Sequence, residues 1–295
     1  MIPAHTFLDL DADRITPEAE EEFFTSLRMR NGTYKTTFWK RFSEIDQTLA
    51  RLVRAGGLHV DNVLDVGVSS GVSTLELCEA LVAADHPVRI VATDLMTEAR
   101  LVRVFPRCFT LTDETGYPLR HDVFAWTLKP WVVGNDYRSG FFVVRKCINL
   151  AFTSQARRLL RRSGSPAVRR VELVTPRLRP CQNISVQNDD ITRFNLEFAG
   201  RFDFIRAANI LNKGYFTDDQ LKSSVALLGR YLVDRDGHLL VVRTHQDGTN
   251  HGTLFAIAGR GQCVALQRFG EGSEIEDLVL GALQTRQPTG VPETP

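Results

Sequence analysis

The chain has 295 residues, 43% of them hydrophobic and 24% charged, a composition that excludes wholesale disorder and allows one large domain with an insertion or two small ones. Its five cysteines, Cys78, Cys108, Cys147, Cys181 and Cys263, are odd in number and include no CxxC pair, which argues against a disulfide framework or zinc knuckle and fits a reducing, cytoplasmic setting. The opening residues do not read as a signal peptide, no apolar run approaches the roughly 20 residues of a membrane span, and a formal net charge of +1 hides an acidic start and a basic middle.

Thr16-Pro17 followed by Glu18, Glu20, Glu21 and Glu22 predicts a capped helix running to about Met29, then a turn at Asn31-Gly32. Phe38, Phe42, Ile45, Leu49, Leu52 and Val53 recur at helical spacing up to Gly56-Gly57, so residues 1–57 read as an N-terminal helical segment. The main domain, 58–281, opens with NVLDVG, SSGVSTLELCEALVAA and VRIVATD, a strand, a glycine-bearing turn, a helix and a second strand. The alternation resumes with strands ISVQNDDI and RFDFIRAAN, a helix from Thr217 with Leu221, Val225, Leu228 and Leu232 on one face, and strand HLLVVRT. Thr217 and Gln220 fit a capping box. GTLFAIAG and QCVALQRFG end the domain as an antiparallel pair on the sheet edge, and 282–295 reads as a flexible tail. The stretch from about 105 to 182 is too long for an ordinary connection and reads as an insertion containing a β-hairpin at CFTLTDETGYPLRHDVF and an amphipathic helix from Phe141 to Arg162. The fold class is therefore α/β, a doubly wound, mostly parallel sheet with an antiparallel C-terminal edge.

After VLDV the chain reads Asp65-Val-Gly67-Val-Ser-Ser-Gly71 and enters a helix, a turn in which missing side chains let a ligand approach the backbone. It is neither the dinucleotide GxGxxG nor a P-loop. Asp94 ends the second strand, where a carboxylate can accept from both ribose hydroxyls of an adenosine group, and Asp189-Asp190-Ile191 ends the next, where a carboxylate can meet an adenine amino group and the isoleucine its ring. In this order the motifs resemble the class I S-adenosylmethionine-dependent methyltransferases over about residues 58–268 apart from the insertion. A closer likeness is to the chemoreceptor methyltransferases of the CheR type. FDFIRAANILNKGYFTDDQLKSSVALLGRYLVDRDGHLLVV is similar to that family's segment, with Asn209 at the matching asparagine, and Thr37-Phe-Trp-Lys-Arg41 resembles its Thr-x-Phe-Phe-Arg. The resemblance implies S-adenosylmethionine as cofactor and makes Thr37 and Arg41 a clamp on its methionine end. A guanidinium suits that task because it holds a carboxylate bidentately. Ser69-Ser70-Gly71 lacks the acids that follow the glycine in the CheR type, so cofactor binding is carried over and glutamate methylation is not.

Alternatives stay open at several positions. Asp65 either anchors the glycine loop or meets the ligand, Thr37 either caps a helix or joins the clamp, and Arg41 is a clamp residue or a surface cation. Asn209, Tyr215 and His245 follow the fourth and fifth strands, where an acceptor would sit, and are the catalytic candidates, with His245 as base or orienter. His245, Asp247 and His251 could group around a metal, but methyl transfer from a sulfonium requires none, and no metal is expected. The leading expectation is methyl transfer to an oxygen or nitrogen of a small-molecule or lipid-like acceptor. The alternatives are a protein carboxyl methyltransferase of the CheR type and a non-catalytic protein that keeps the fold and recruits an anionic partner. Arg157 to Arg179, with Glu172 the lone acid among them, reads either as a solvated face or as a contact for an anionic surface, with nucleic acid less favoured because Trp126, Trp131, Phe141 and Phe142 stand beside the charges rather than among them.

Overall fold

A computed structural model describes residues 2–132, 136–137, 140–258 and 262–284. Its regular elements run α1 (Ala4–Phe7), α2 (Pro17–Thr25), α3 (Ser43–Arg54), β1 (Asn62–Val66), α4 (Val72–Val82), β2 (Arg89–Asp94), β3 (Glu98–Phe105), β4 (Cys108–Thr112), β5 (Pro118–Val123), β6 (Trp126–Leu128) and α5 (Phe141–Leu160). They continue with β7 (Val168–Glu172), β8 (Ile184–Asn188), β9 (Phe204–Ala208), α6 (Asp218–Tyr231), β10 (His238–Thr244), β11 (Asn250–Ala258), β12 (Gln262–Phe269) and α7 (Glu276–Gln284). Two compact units divide the chain, one of Lys40–Val68, Ser73–Leu95 and Gln182–Pro295, the other of Met1–Trp39, Ser69–Val72 and Met96–Cys181.

The first unit carries a seven-stranded sheet ordered β12-β11-β10-β9-β1-β2-β8. The five strands from β8 to β10 are parallel, and β11 and β12 add an antiparallel edge. Within the unit this is the doubly wound order, its direction of winding reversing between β1 and β9. The central strands are covered on both faces, which is why apolar residues dominate them, as in Leu239 to Val242, and why Asp65 of β1 is itself buried. Leu64, Val66, Ile205, Ala207, Leu239 and Val241 share one buried cluster with Leu221, Val225 and Leu228 of α6. The capping box forms as read: Thr217 Oγ1 accepts from Gln220 N at 3.3 Å and Gln220 Oε1 from Thr217 N at 2.9 Å. The helix α7 lies partly in the segment read as a tail. Its Leu283 would stand 2.5 Å from a Cβ on Gly229, so that glycine lets α6 and α7 approach. Residues 285–295 lie outside the described residues.

In the other unit a five-stranded antiparallel sheet runs β6-β5-β4-β3-β7. The expected hairpin is β4 and β5, and the expected helix is α5. The strand β3 is new, and it places the start of this sheet ahead of residue 105. Ala99 and Leu101 enter one core cluster while Val102 and Val104 enter another, so both faces are buried and the alternation that marks a strand is lost. The N-terminal pattern also shortens: α2 stops at Thr25 and Arg28 then bridges to Tyr34 around the Asn31-Gly32 turn. Helix α3 begins only at Ser43, because Lys40 adopts a left-handed φ of 56° and Phe38 is exposed.

Five of the eight arginines between 157 and 179 have partners within their unit, while Arg158, Arg161 and Arg162 are exposed at the end of α5. Arg157 donates to Gly116 O, Arg169 pairs with Asp9 at 2.6 Å, Arg170 with Glu98, Arg177 with Glu20 at 3.5 Å, and Arg179 donates to Leu8 O at 2.8 Å. Trp131 packs edge-on to Tyr34 and Phe142 stacks on Tyr137, whereas Trp126 is exposed. Among the described residues no helix is long and apolar enough to cross a membrane.

Candidate active site at the carboxyl ends of the parallel strands

Parallel strands deliver their carboxyl ends to one edge, and a ligand site forms there at the reversal of winding. Val66 lies beside Thr93 and Ala207, Asp94 beside Asn188, and Ala208 beside Val242. The loops beginning at Gly67, Asp189 and Asn209 therefore leave the sheet at the level of Asp94.

Gly67 has a φ of 72°, and its N–H and that of Val68 both donate to Thr93 O, at 2.8 and 3.1 Å. A Cβ on Gly67 would meet Ile210 at 3.0 Å, so what this position offers is the absence of a side chain. Ser69 and Gly71 are left-handed too, at 55° and 76°, which makes positions 67, 69 and 71 a run of alternate left-handed residues with glycine at two of the three. Residues 69–72 belong to the unit of the antiparallel sheet. There Lys35 Nζ donates to Ser69 O at 2.7 Å, Ser70 Oγ to Thr37 Oγ1 at 2.8 Å, and Thr175 N to Ser70 O at 2.7 Å. A Cβ on Gly71 would stand 2.6 Å from Leu178 Cδ1. Thr37 caps no helix. It is buried and holds the turn.

Beneath the rim lies a buried charge cluster. Arg206 of β9 donates to both carboxylate oxygens of Asp65, at 2.9 and 2.6 Å, and to Asp46 Oδ1 of α3 at 3.5 Å, while Thr74 Oγ1 donates to Asp65 Oδ2 at 2.7 Å. Asp65 is 1% exposed, and its carboxylate is taken up by Arg206 and by Thr74 of α4. Burial drives the Asp46 carboxyl up to about 7 against the attraction of Arg206, with Glu76 and Asp65 adding repulsion. Neither Arg206 nor Asp46 was singled out from the sequence. The signal was present, since an arginine inside the apolar run FDFIRAAN is buried only if carboxylates meet it.

The strand-end carboxylates differ in their duties. Asp190 accepts from Thr192 N at 3.0 Å and Thr192 Oγ1 at 2.6 Å and pairs with Arg193 at 3.4 Å, and the Thr192 hydroxyl bond holds its pKa below the usual range. Asp189 accepts from Asn195 Nδ2 at 3.0 Å, is half-buried, and is pushed up by burial. Its N–H donates to Asp94 O at 3.0 Å, joining two strand ends. Ile191 is half-buried against the main core.

Asn209 is left-handed, at 60°. Its Oδ1 accepts from Thr244 N at 2.7 Å and its Nδ2 donates to Thr244 Oγ1 at 3.2 Å, stapling β9 to β10. Thr244 donates to Asn250 Oδ1 at 2.8 Å, and Asn250 Nδ2 donates to Arg41 O at 2.6 Å. The backbone of Arg41 is thereby fixed at the same edge, through an asparagine that sequence reading passed over. Tyr215 is 62% exposed, and His245 is exposed with its ring 4.5 Å from that of His251. Among the described residues no three His, Cys, Asp or Glu side chains group as metal ligands.

No family model matches the chain, and no curated protein matches it in sequence. Solved structures do match. A SAM-dependent methyltransferase from Clostridium acetobutylicum shares 14% identity, with 84% of this chain and 80% of that one aligned and a TM-score of 0.35. The SAM-bound amino pentose methyltransferase CalS10 from Micromonospora echinaspora shares 11%, over 81% of each chain, at 0.35. The CMeT domain of the citrinin polyketide synthase shares 13% over 79% of this chain, which spans 42% of that structure, also at 0.35. The doubly wound fold assigned to this chain rests on its own strand order and register.

Proposed function

We propose that this chain is an S-adenosylmethionine-dependent methyltransferase acting on an oxygen or nitrogen of a small-molecule or lipid-like acceptor. The observation that carries the reading is the register of the rim, which brings Gly67, Asp94 and Asp189 to adjacent strand ends beside the reversal of winding. Their chemistry fits an adenosine group. Asp94 accepts from the ribose hydroxyls, Gly67 gives the left-handed turn that starts the loop, and Ile191 covers the base. Asp189 serves the adenine amino group better than Asp190, because Asp190 is committed to Thr192 and Arg193. Arg41, held at the edge through Asn250, supplies a guanidinium for the methionine carboxylate. The bound cofactor supplies an electrophilic sulfonium methyl. Around it the chain's task is alignment and exclusion of water, with Asn209 as a positioning residue through Thr244 and with Tyr215 and His245 orienting the acceptor and receiving its proton.

Calorimetric titration with S-adenosylmethionine tests this. Binding by the intact chain, loss of it in Asp94→Ala and Asp189→Ala, and near-normal binding by Asp190→Ala are the expected results. No heat of binding from the intact chain sinks the reading. That outcome would favour the second one, a non-catalytic protein on the same fold, which draws support from a single observation: Leu178 and Thr175 already occupy the surroundings of Gly71 and the Ser70 carbonyl.

A further inference from the structure

The antiparallel sheet ends in two adjoining hairpin tips, Phe105 to Cys108 between β3 and β4, and Val123 to Trp126 between β5 and β6, joined where Phe124 N donates to Arg107 O at 3.0 Å. Trp126 is 79% exposed and Phe124 59%, and Phe105 is exposed with its ring 5.4 Å from Phe152 of α5. Two non-glycine residues at these tips are left-handed, Arg107 at 55° and Phe124 at 58°. A phenylalanine held in that region is strained, and folding alone does not call for a large apolar ring in water there. The charge pattern is one-sided. Arg103 and Arg107 are exposed beside the rings, and residues 99–112 and 123–132 contain no acid. The acids of this sheet lie elsewhere or are committed: Asp122 is buried with Arg120, while Glu98 pairs with Arg170 and Glu114 with Arg100. Helix α5, packed on β3, β4 and β5, has no acid either and exposes Val143, Val144 and Leu150 on its outer side.

We infer that the hairpin tips at Phe105, Phe124 and Trp126, flanked by Arg103 and Arg107, form a docking site for an anionic lipid surface. Aromatic rings at a turn reach the headgroup boundary, where a ring gains apolar burial, and guanidinium groups beside them meet lipid phosphates. Nucleic acid fits less well, since the rings stand at the tips and not along a cationic groove. The site draws on Arg103 and Arg107 and not on Arg157, Arg169, Arg170, Arg177 or Arg179, which have partners of their own. It does not rest on the methyltransferase proposal, and vesicle binding and cofactor binding fail independently.

Co-sedimentation of the full chain with phosphatidylcholine vesicles, with and without phosphatidylserine, reads the site directly. Binding should require phosphatidylserine, weaken with salt, and move Trp126 emission to the blue. Phe124→Ser with Trp126→Ser should lower partitioning by about tenfold or more. Arg103→Gln with Arg107→Gln should lower it by roughly fivefold per arginine. Arg169→Gln with Arg179→Gln should leave it unchanged, and unaltered thermal melting of each variant confirms folding. Equal partitioning by the tip variant, indifference to phosphatidylserine, or preferential capture of RNA overturns the assignment.

Discussion

Among the described residues each unit holds one arginine that is 1% exposed, Arg206 on β9 and Arg120 on β5, and the two are satisfied by opposite means. Arg206 meets carboxylates. Burial lowers its pKa, but Asp65, Asp46 and Glu76 together outweigh that and leave it raised. Arg120 meets one carboxylate, Asp122 at 2.9 Å, and otherwise Ser26 Oγ at 3.1 Å, the Thr127 hydroxyl and the Ile2 carbonyl, so burial prevails and its pKa is lowered. The first arrangement holds more acid than base and titrates near neutrality at Asp46. The second is closed by neutral partners and works as a fastener, with Asp122 Oδ2 also accepting from Ala4 N at 2.6 Å, so that the N-terminal residues are tied to β5. A buried arginine is thus no single kind of device, and its partners decide what it does.

Removing the cation should expose the difference most strongly. Arg206→Met leaves Asp65 and Asp46 buried without a counter-charge, and urea unfolding should show a loss of about 3–5 kcal/mol at pH 8. The loss should shrink as the pH falls and Asp46 takes up a proton. A loss that is the same at both pH values would mean that Asp46 is already protonated beside Arg206. Arg120→Met should cost less, near the lower end of about 3 kcal/mol, because Asp122 retains the Ala4 N–H and the Thr127 hydroxyl. Limited proteolysis of that variant should cut first within residues 2–10.

Legibility in the sequence divides along the same line. The parallel sheet was readable because doubly covered strands leave apolar runs and because helices return every strand to the same edge, so NVLDVG, RFDFIRAAN and HLLVVRT gave their places and Asp94 its height. The antiparallel sheet was readable only at its hairpin. In β3 both faces are buried, which erases the alternation, and Trp126 reads like Trp131 and Phe142 although those two rings pack on Tyr34 and Tyr137 while its own is exposed. The site was half legible. Glycines and strand-end acids follow from chain order, whereas the staple from Asn209 through Thr244 and Asn250 to Arg41 joins residues distant in sequence, and nothing local marks it.

Asp46→Asn sharpens the contrast at smaller amplitude. With a folded pKa of about 7 against an ordinary 3.8, the proton on Asp46 stabilises the fold fully below the unfolded value, and this contribution is lost as pH rises through 7. Between pH 5 and 8 the wild type should lose on the order of 2 kcal/mol from this group. Asn cannot titrate, so the variant's curve of thermal midpoint against pH should be flatter across that window. A curve parallel to the wild type would assign the titration elsewhere in the cluster.

The smallest effect belongs to the neutral partners. Ser26 Oγ accepts from Arg120 and donates to Phe23 O at 2.6 Å at the end of α2, so Ser26→Ala removes a hydroxyl that serves the fastener and the helix end together. A buried donor left unmatched costs about 1–3 kcal/mol, but Arg120 keeps three other partners, which places the expected loss near about 1 kcal/mol. Because no acid is unmasked, that loss should be the same at pH 6 and pH 8. A pH-dependent loss in Ser26→Ala would show that the Arg120 cluster also carries excess charge, and the distinction between the two arginines would then be one of degree.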